Sequence, residues 1–494
     1  MEKKAIVVGS GIAGLAASVR LSHLGYRVEV FEANGYPGGK LSEIQLGAYR
    51  FDTGPSLFTL PEQVDELFKL TGRNPADHFE YIRLPVACHY FWEDGKQIKA
   101  YADINAFAEE VETKLGEPAD HIRQSLERSA YIYDHLSPLF MHQSLHRWKT
   151  WTSPHALKSY LKMGKLGIFD TMNGANKKQF QHPKLVQLFN RYATYNGSDP
   201  YQTAATLNII PHLEFNIGAF FPKKGMHAIT ESLYQLAKDV GVQFHFNTKV
   251  QKILVANKKA VGISTDTESH DADIVINNMD MVNAYKHLLS DQKQPKMLLR
   301  QPKSSSALIF YWGIKKVFPE LDLHNILFSE DYESEFKHIF KQGQISSDPT
   351  VYINITSVYK DDDAPKGGMN WFTMVNTPNN QGQDWDEMIK TARQNIIKKI
   401  NRILHTDIEP LIEVEEILDP RTIESKTSSA LGALYGNSSN NRYAAFLRHA
   451  NFSSEISNLY FCGGSVHPGG GIPLCLLSAK IMTEIIVPKN PKMN

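Results

Sequence analysis

An α/β fold arranged around a parallel sheet is predicted by three observations near the start of the chain. Ala5-Ile6-Val7-Val8 is a short apolar β run, Gly9, Gly11 and Gly14 follow it in G-x-G-x-x-G spacing, and a helical pattern then leads to a second β run, Val28 to Phe31, that ends on an acid, Glu32. Strand, glycine turn, helix and strand in that order make one βαβ unit. A glycine triplet alone is a weak signal. Its place between a strand and a helix reads as a dinucleotide-binding turn, and the domain as Rossmann-like.

Each part has a physical task. Gly9 permits the tight turn, Gly11 lets backbone approach a pyrophosphate, and Gly14 lets the helix lie close on the strand. Ser10 and Ala13 belong to the same turn and join these glycines as candidate cofactor contacts. Ile12, Leu15, Val19 and Leu24 are the expected buried face of the helix, and Gly25 its stop. The free N–H groups at the helix start suit phosphates. Glu32 suits a ribose 2′-hydroxyl and repels a phosphate there, so FAD or NAD is expected rather than NADP.

The chain has 494 residues, which predicts two or three domains. It is 42% hydrophobic and 21% charged, the composition of a soluble globular protein, and its 53 basic and 53 acidic residues cancel, so no nucleic-acid partner is expected. Cys88, Cys462 and Cys475 have no metal-ligand spacing, so no metal site is expected and buried thiols in a cytoplasmic setting are the plain reading. The first apolar run is too short for a signal peptide, and no run reaches the length of a transmembrane helix. No feature of the sequence sets an oligomeric state.

Past Glu32, Gly38-Gly39-Lys40 offers backbone close to a ligand and a cation for a phosphate, and Phe51-Asp52-Thr53-Gly54-Pro55-Ser56 runs into a glycine-proline turn. Near the C-terminus stands Gly463-Gly464-Ser465-Val466-His467-Pro468-Gly469-Gly470-Gly471-Ile472-Pro473. The glycine turn, the acid, G-G-K, F-D-x-G-P and H-P-G-x-G-I-P together resemble the FAD-dependent carotenoid desaturases, within the flavoprotein group shared with amine oxidases and Rab escort proteins. The resemblance narrows the cofactor to FAD. It implies cofactor contacts from Gly39, Lys40, Gly54, Pro55 and Ser56, from Val250 beside the adenine, and from Gly463, Gly464, Gly471, Ile472 and Pro473 beside the flavin. It also implies a carotenoid substrate, dehydrogenated at a CH–CH unit. His467 then has two readings, a proton carrier at the flavin or a residue that shapes its loop by a hydrogen bond.

Finer features, Lys40 and the run Gly54-Pro55-Ser56-Leu57-Phe58-Thr59, resemble the branch that desaturates 1-hydroxycarotenoids at the 3,4 bond, with phytoene-type desaturation as the alternative. A flavin amine oxidase and a non-catalytic lipid escort are the readings from other classes.

Between His135 and Ser198 the chain has nine Lys or Arg and one acid, Asp170, interleaved with Trp148, Trp151, Tyr160, Leu161, Met163, Leu166, Ile168 and Phe169. Such a mixture suits a membrane interface, and an enzyme collecting carotenoids has reason to sit there. A peripheral, cytoplasmic location is the expectation, with a basic-faced helical domain as the plainer reading. Aromatics between 191 and 222 (Tyr192, Tyr195, Tyr201, Phe215, Phe220, Phe221) are candidates for an apolar tunnel. Further elements are expected: a helix from Pro61, a hairpin turning at Asp94-Gly95, helices over Ile104–Leu115, Ile229–Val240 and Trp385–Leu404, and strands over Ala307–Trp312 and Val351–Ile355. The expected division is an FAD-binding domain from 1–80, 221–300 and 451–494, and an inserted α+β substrate domain from 81–220, with its membrane-facing segment 135–198, and 301–450.

Overall fold

The computed structural model describes residues 2–154, 156, 162, 164, 166–441 and 444–486. Lys158, Tyr160, Leu161, Met163 and Lys165 of the basic segment lie outside them, as do residues 487–494.

A five-stranded parallel sheet carries the glycine turn. Its strands lie in the order Leu459–Phe461, Ile274–Asn277, Lys4–Val8, Arg27–Phe31, Gln243–His245. Successive strands run outward from Lys4–Val8 on one side, then restart on its other side at Ile274–Asn277. The strand order reverses there, and ligands of open α/β sheets bind outside the carboxyl ends at such a point. The Ile12–His23 helix packs against Ile472–Ile486 and Ala228–Asp239. Gly25, with φ +83°, takes the left-handed turn after it.

The second sheet has seven strands in the order Ile412–Leu418, Ser306–Ile314, Met369–Thr377, Val351–Asn354, His324–Leu327, Val86–Phe91, Gln97–Tyr101. All pairs are antiparallel except His324–Leu327 with Val86–Phe91. The two-residue period of a strand divides its side chains between two faces. Leu308, Phe310, Trp312, Val351, Ile353 and Trp371 pack with Ile396 and Ile400 of the Trp385–Ile403 helix. Their neighbours Ile309, Tyr311, Tyr352, Phe372 and Met374 face a cavity on the other side. The sheet is thus anchored by one helix and presents a mainly apolar wall.

Local signals produced the expected elements where the turn chemistry was explicit. The Ile104–Leu115 helix starts at Asp103, whose carboxylate accepts from Ala106 N at 2.8 Å, and stops at Gly116 with φ +73°. The hairpin turns at Gly95, φ +79°, between Val86–Phe91 and Gln97–Tyr101. Among the described residues no helix is long and apolar enough to cross a membrane.

Candidate active site

A cavity of about 1820 Å³ begins at the glycine turn and extends along the apolar wall of the second sheet. It exceeds the roughly 300–1,000 Å³ of a pocket for one drug-sized molecule, so it has room for a dinucleotide and a second large ligand.

At one end lie Gly9, Gly11, Ala13 and Glu32. Gly9 has φ +94°, and Gly11 caps the Ile12–His23 helix without a side-chain hydrogen bond, which leaves first-turn N–H groups for an anion. A Cβ on Gly14 would lie 2.1 Å from the carbonyl oxygen of Gly9, so Gly14 serves helix packing and is not itself in the cavity wall. Ser10 is also behind the wall: its N–H and hydroxyl donate to Glu32 Oε2 at 2.8 and 2.9 Å. Asn34 donates its N–H and Nδ2 to Glu32 Oε1 at 2.9 and 3.0 Å, so the carboxylate is held rigidly at the strand end. Thr248 N donates to the Glu32 carbonyl at 2.8 Å and brings Val250 to the same wall.

The middle of the cavity is bordered by Gly39, Lys40, Gly54, Pro55 and Ser56. Gly38 bridges to Gly11, and a Cβ on Gly54 would lie 1.8 Å from the carbonyl oxygen of Lys40, so the two loops and the glycine turn form one layered unit. Lys40 Nζ donates to the carbonyl oxygens of Ala433 and Leu434 at 3.3 and 2.9 Å, which ties it to the second half of the chain rather than leaving it free for a phosphate. Burial pulls its pKa down, against the opposing charge of Asp280. Asp52 of the F-D-x-G-P run accepts from Met226 N and His227 N at 2.9 and 2.8 Å; its task is to anchor the start of the Ala228–Asp239 helix.

Gly463, Gly464, Gly471, Ile472 and Pro473 close the cavity. Gly471 has φ +106° and open space where a Cβ would stand, just before the Ile472–Ile486 helix. A second helix N-terminus therefore faces the cavity.

His467 stands elsewhere. It is 1% exposed, does not border the cavity, and its Nε2 pairs with the carbonyl oxygen of Gln143 at 2.8 Å. Burial pushes its pKa down to about 4, so the ring is neutral at pH 7. Of its two readings, the geometry is that of the loop-shaping hydrogen bond. The tunnel aromatics are corrected similarly: Tyr192, Phe215 and Phe221 are core, and Tyr195 alone of the six borders the cavity.

One contact at the centre lacked any sequence signal. Asn278, at the end of the Ile274–Asn277 strand, donates from Nδ2 to the Gly9 carbonyl oxygen at 3.1 Å, and its Oδ1 lies 2.8 Å from where a Cβ on Gly463 would stand. It couples the first glycine turn to the last.

Residues 12–486 match the family described as flavin containing amine oxidoreductase. The chain belongs to that family. Its members carry FAD, and the glycine turn, the rigid acid and the two helix N-termini are features that fit such a dinucleotide. A 1-hydroxycarotenoid 3,4-desaturase from a Flavobacterium species is 54% identical over 484 residues, covering 98% of this chain and 99% of its own. A phytoene desaturase from Fusarium fujikuroi is 29% identical over 513 residues, covering 99% and 90%. Among solved structures, a putrescine oxidase variant shares the fold with TM-score 0.64 at 15% identity, covering 99% of this chain and 100% of its own. The protein is thus a flavin-dependent oxidoreductase. The three free thiols fit no cluster role: Cys88 and Cys462 are buried, and Cys475 borders the cavity.

Proposed function

We propose that this flavoprotein is a carotenoid desaturase that introduces the 3,4 double bond into a 1-hydroxycarotenoid. The observation that carries the reading is the single cavity joining the glycine turn to an apolar wall of Ile309, Tyr311, Ile326, Phe372 and Met374. The 54% identity to the Flavobacterium enzyme supports the same substrate class.

The first-turn N–H groups after Gly11 receive the pyrophosphate, Glu32 the ribose, Val250 the adenine edge, and Gly463, Gly464 and Gly471–Pro473 the flavin. When bound there, FAD supplies the hydride acceptor. The residues do the rest. The layered loops at Gly39 and Gly54 fix the cofactor's position, and the apolar wall holds a polyene and excludes water. A conjugated substrate spreads the positive charge left when a hydride departs, and loss of a proton from the neighbouring carbon to a base or a water molecule then completes the double bond, so few charged groups are needed at the reacting carbons. The hydrogen bond between the His467 ring and the Gln143 carbonyl oxygen supports the loop-shaping reading of this residue over the proton-carrier one.

The proposed domain division follows the sheets: the FAD-binding part from 1–80, 221–300 and 451–494, the substrate part from 81–220 and 301–450. Membrane contact belongs to the same reading. Trp148 and Phe169 are 80% and 69% exposed within the basic segment. Such apolar side chains among cations suit an anionic bilayer surface. Not every cation of the segment serves it, since Arg191 is buried.

The test is incubation of the FAD-loaded protein with a panel of carotenoids in liposomes, with product identification. A 1-hydroxycarotenoid gaining one double bond at the 3,4 position is expected. Conversion of phytoene in preference to any hydroxylated carotenoid supports the alternative desaturase instead.

A further inference from the structure

Polar side chains also line the cavity, and one group of them is buried and charged. Arg191, Thr194 and Tyr195, on the Arg191–Asn196 helical turn, border the cavity, and Arg191 and Tyr195 belong to a buried ionic network. Arg191 is 5% exposed and Glu214 is 2% exposed. Arg191 Nη2 lies 3.3 Å from Glu214 Oε1 and donates to Tyr90 Oη at 2.6 Å; Nη1 donates to Tyr195 Oη at 3.0 Å. Tyr192 Oη donates to Glu214 Oε1 at 2.8 Å, and Tyr195 Oη donates to Glu214 Oε2. Burial alone would lower the Arg191 pKa, but the neighbouring Tyr195, Tyr90 and Glu214 outweigh it and keep the guanidinium charged.

A buried ion pair is expensive to desolvate and adds little net stability, and a pure hydrocarbon gains nothing from one in its binding wall. Tyr195 has the free valence. Its proton goes to Glu214 and one lone pair to Arg191, which leaves one lone pair to accept a hydrogen bond. Tyr192, by contrast, is fully buried and does not border the cavity.

The location also fits. Gly197, at the end of the Arg191–Asn196 turn, and Gly470, in the closing motif, both abut the Tyr435 ring: a Cβ on either would lie 2.9 Å from a ring carbon. The turn that carries Arg191 and Tyr195 therefore ends one aromatic ring from the motif proposed to hold the flavin. With carbon–carbon bonds of about 1.5 Å, an oxygen on C1 is roughly 4 Å from C3, so the group that recognises it must stand close to the reacting bond.

We propose that Tyr195, held by Arg191 and Glu214, accepts the hydrogen bond of the substrate's terminal hydroxyl and thereby sets the preference for hydroxylated over hydrocarbon polyenes. This inference rests on the substrate reading above. A site built to pair a hydroxyl discriminates against the analogue that leaves its buried polar group unpaired.

The test compares kcat/KM for a 1-hydroxycarotenoid with its 1-deoxy and 1-methoxy analogues, in wild type, Tyr195→Phe and Tyr201→Phe, each checked for bound FAD by its absorbance; Tyr201 lies outside both the network and the cavity wall. Wild type is expected to favour the hydroxylated compound by about 10- to 100-fold. Tyr195→Phe should reduce the ratio to within about threefold, chiefly by raising KM for the hydroxylated compound, while Tyr201→Phe keeps the ratio. A wild-type enzyme that turns over the methoxy ether as well as the alcohol overturns the proposal without any variant, as does a ratio preserved in Tyr195→Phe. A wild type that desaturates none of the three instead removes the substrate reading on which the inference rests.

Discussion

Asn278 Nδ2 donates to the carbonyl oxygen of Gly9 at 3.1 Å while its Oδ1 packs against Gly463, so one side chain stands between the first and last glycine segments where the strand order reverses. Replacing Asn278 by Leu keeps the bulk and removes the donor. FAD affinity should fall about 10-fold, equivalent to roughly 1.4 kcal/mol, measured by fluorescence titration of the deflavinated protein. Unchanged affinity would show that the bond does not shape the turn.

Gly14→Ala places a methyl 2.1 Å from the Gly9 carbonyl oxygen. The helix must move off the strand, so the purified variant should lack the flavin spectrum while Gly25→Ala, where a Cβ meets nothing within 4 Å, keeps it. The strain of φ +83° at Gly25 costs about 1 kcal/mol of stability.

His467→Gln retains a donor for the Gln143 carbonyl oxygen and should keep both FAD and near-normal turnover. His467→Ala leaves a buried gap and should lower stability by roughly 2–4 kcal/mol, read from urea denaturation. Loss of turnover in a flavin-loaded His467→Gln enzyme would restore the proton-carrier reading.

Burial holds both His467 and His449 at about 4, below the usual histidine value. As pH falls below about 6.5 the unfolded chain binds protons that the native state refuses, so stability drops from there to about pH 4, by up to about 3 kcal/mol per ring. The urea midpoint should therefore fall over that window, with a shallower slope in His467→Gln. A flat midpoint would mean that the rings are not held neutral.

Trp148→Glu with Phe169→Glu should reduce co-sedimentation with anionic vesicles several-fold and leave flavin absorbance intact, because both side chains are exposed. Equal sedimentation of the double variant would place the membrane contact elsewhere.

The parts legible in the sequence were those whose chemistry is local. Gly9, Gly11 and Glu32 lie within one βαβ unit, and Asp103 and Gly116 bracket their helix with cap signals that need no tertiary information. Side-chain direction was not legible. His467 sits in the expected motif, but its ring turns to Gln143, 324 positions away. Arg191 reads as one cation among nine, and only the fold brings it to Glu214 beneath three tyrosines. Asn278 ends an apolar strand with nothing nearby to mark it, because its partners Gly9 and Gly463 come from opposite ends of the chain.

The central claim, that the flavin site serves a polyene, is tested most directly by anaerobic mixing of the FAD-loaded protein with a 1-hydroxycarotenoid in liposomes. The account predicts bleaching of the flavin absorbance in step with formation of a product carrying one more double bond. A flavin that polyenes leave unchanged and an amine bleaches would contradict it.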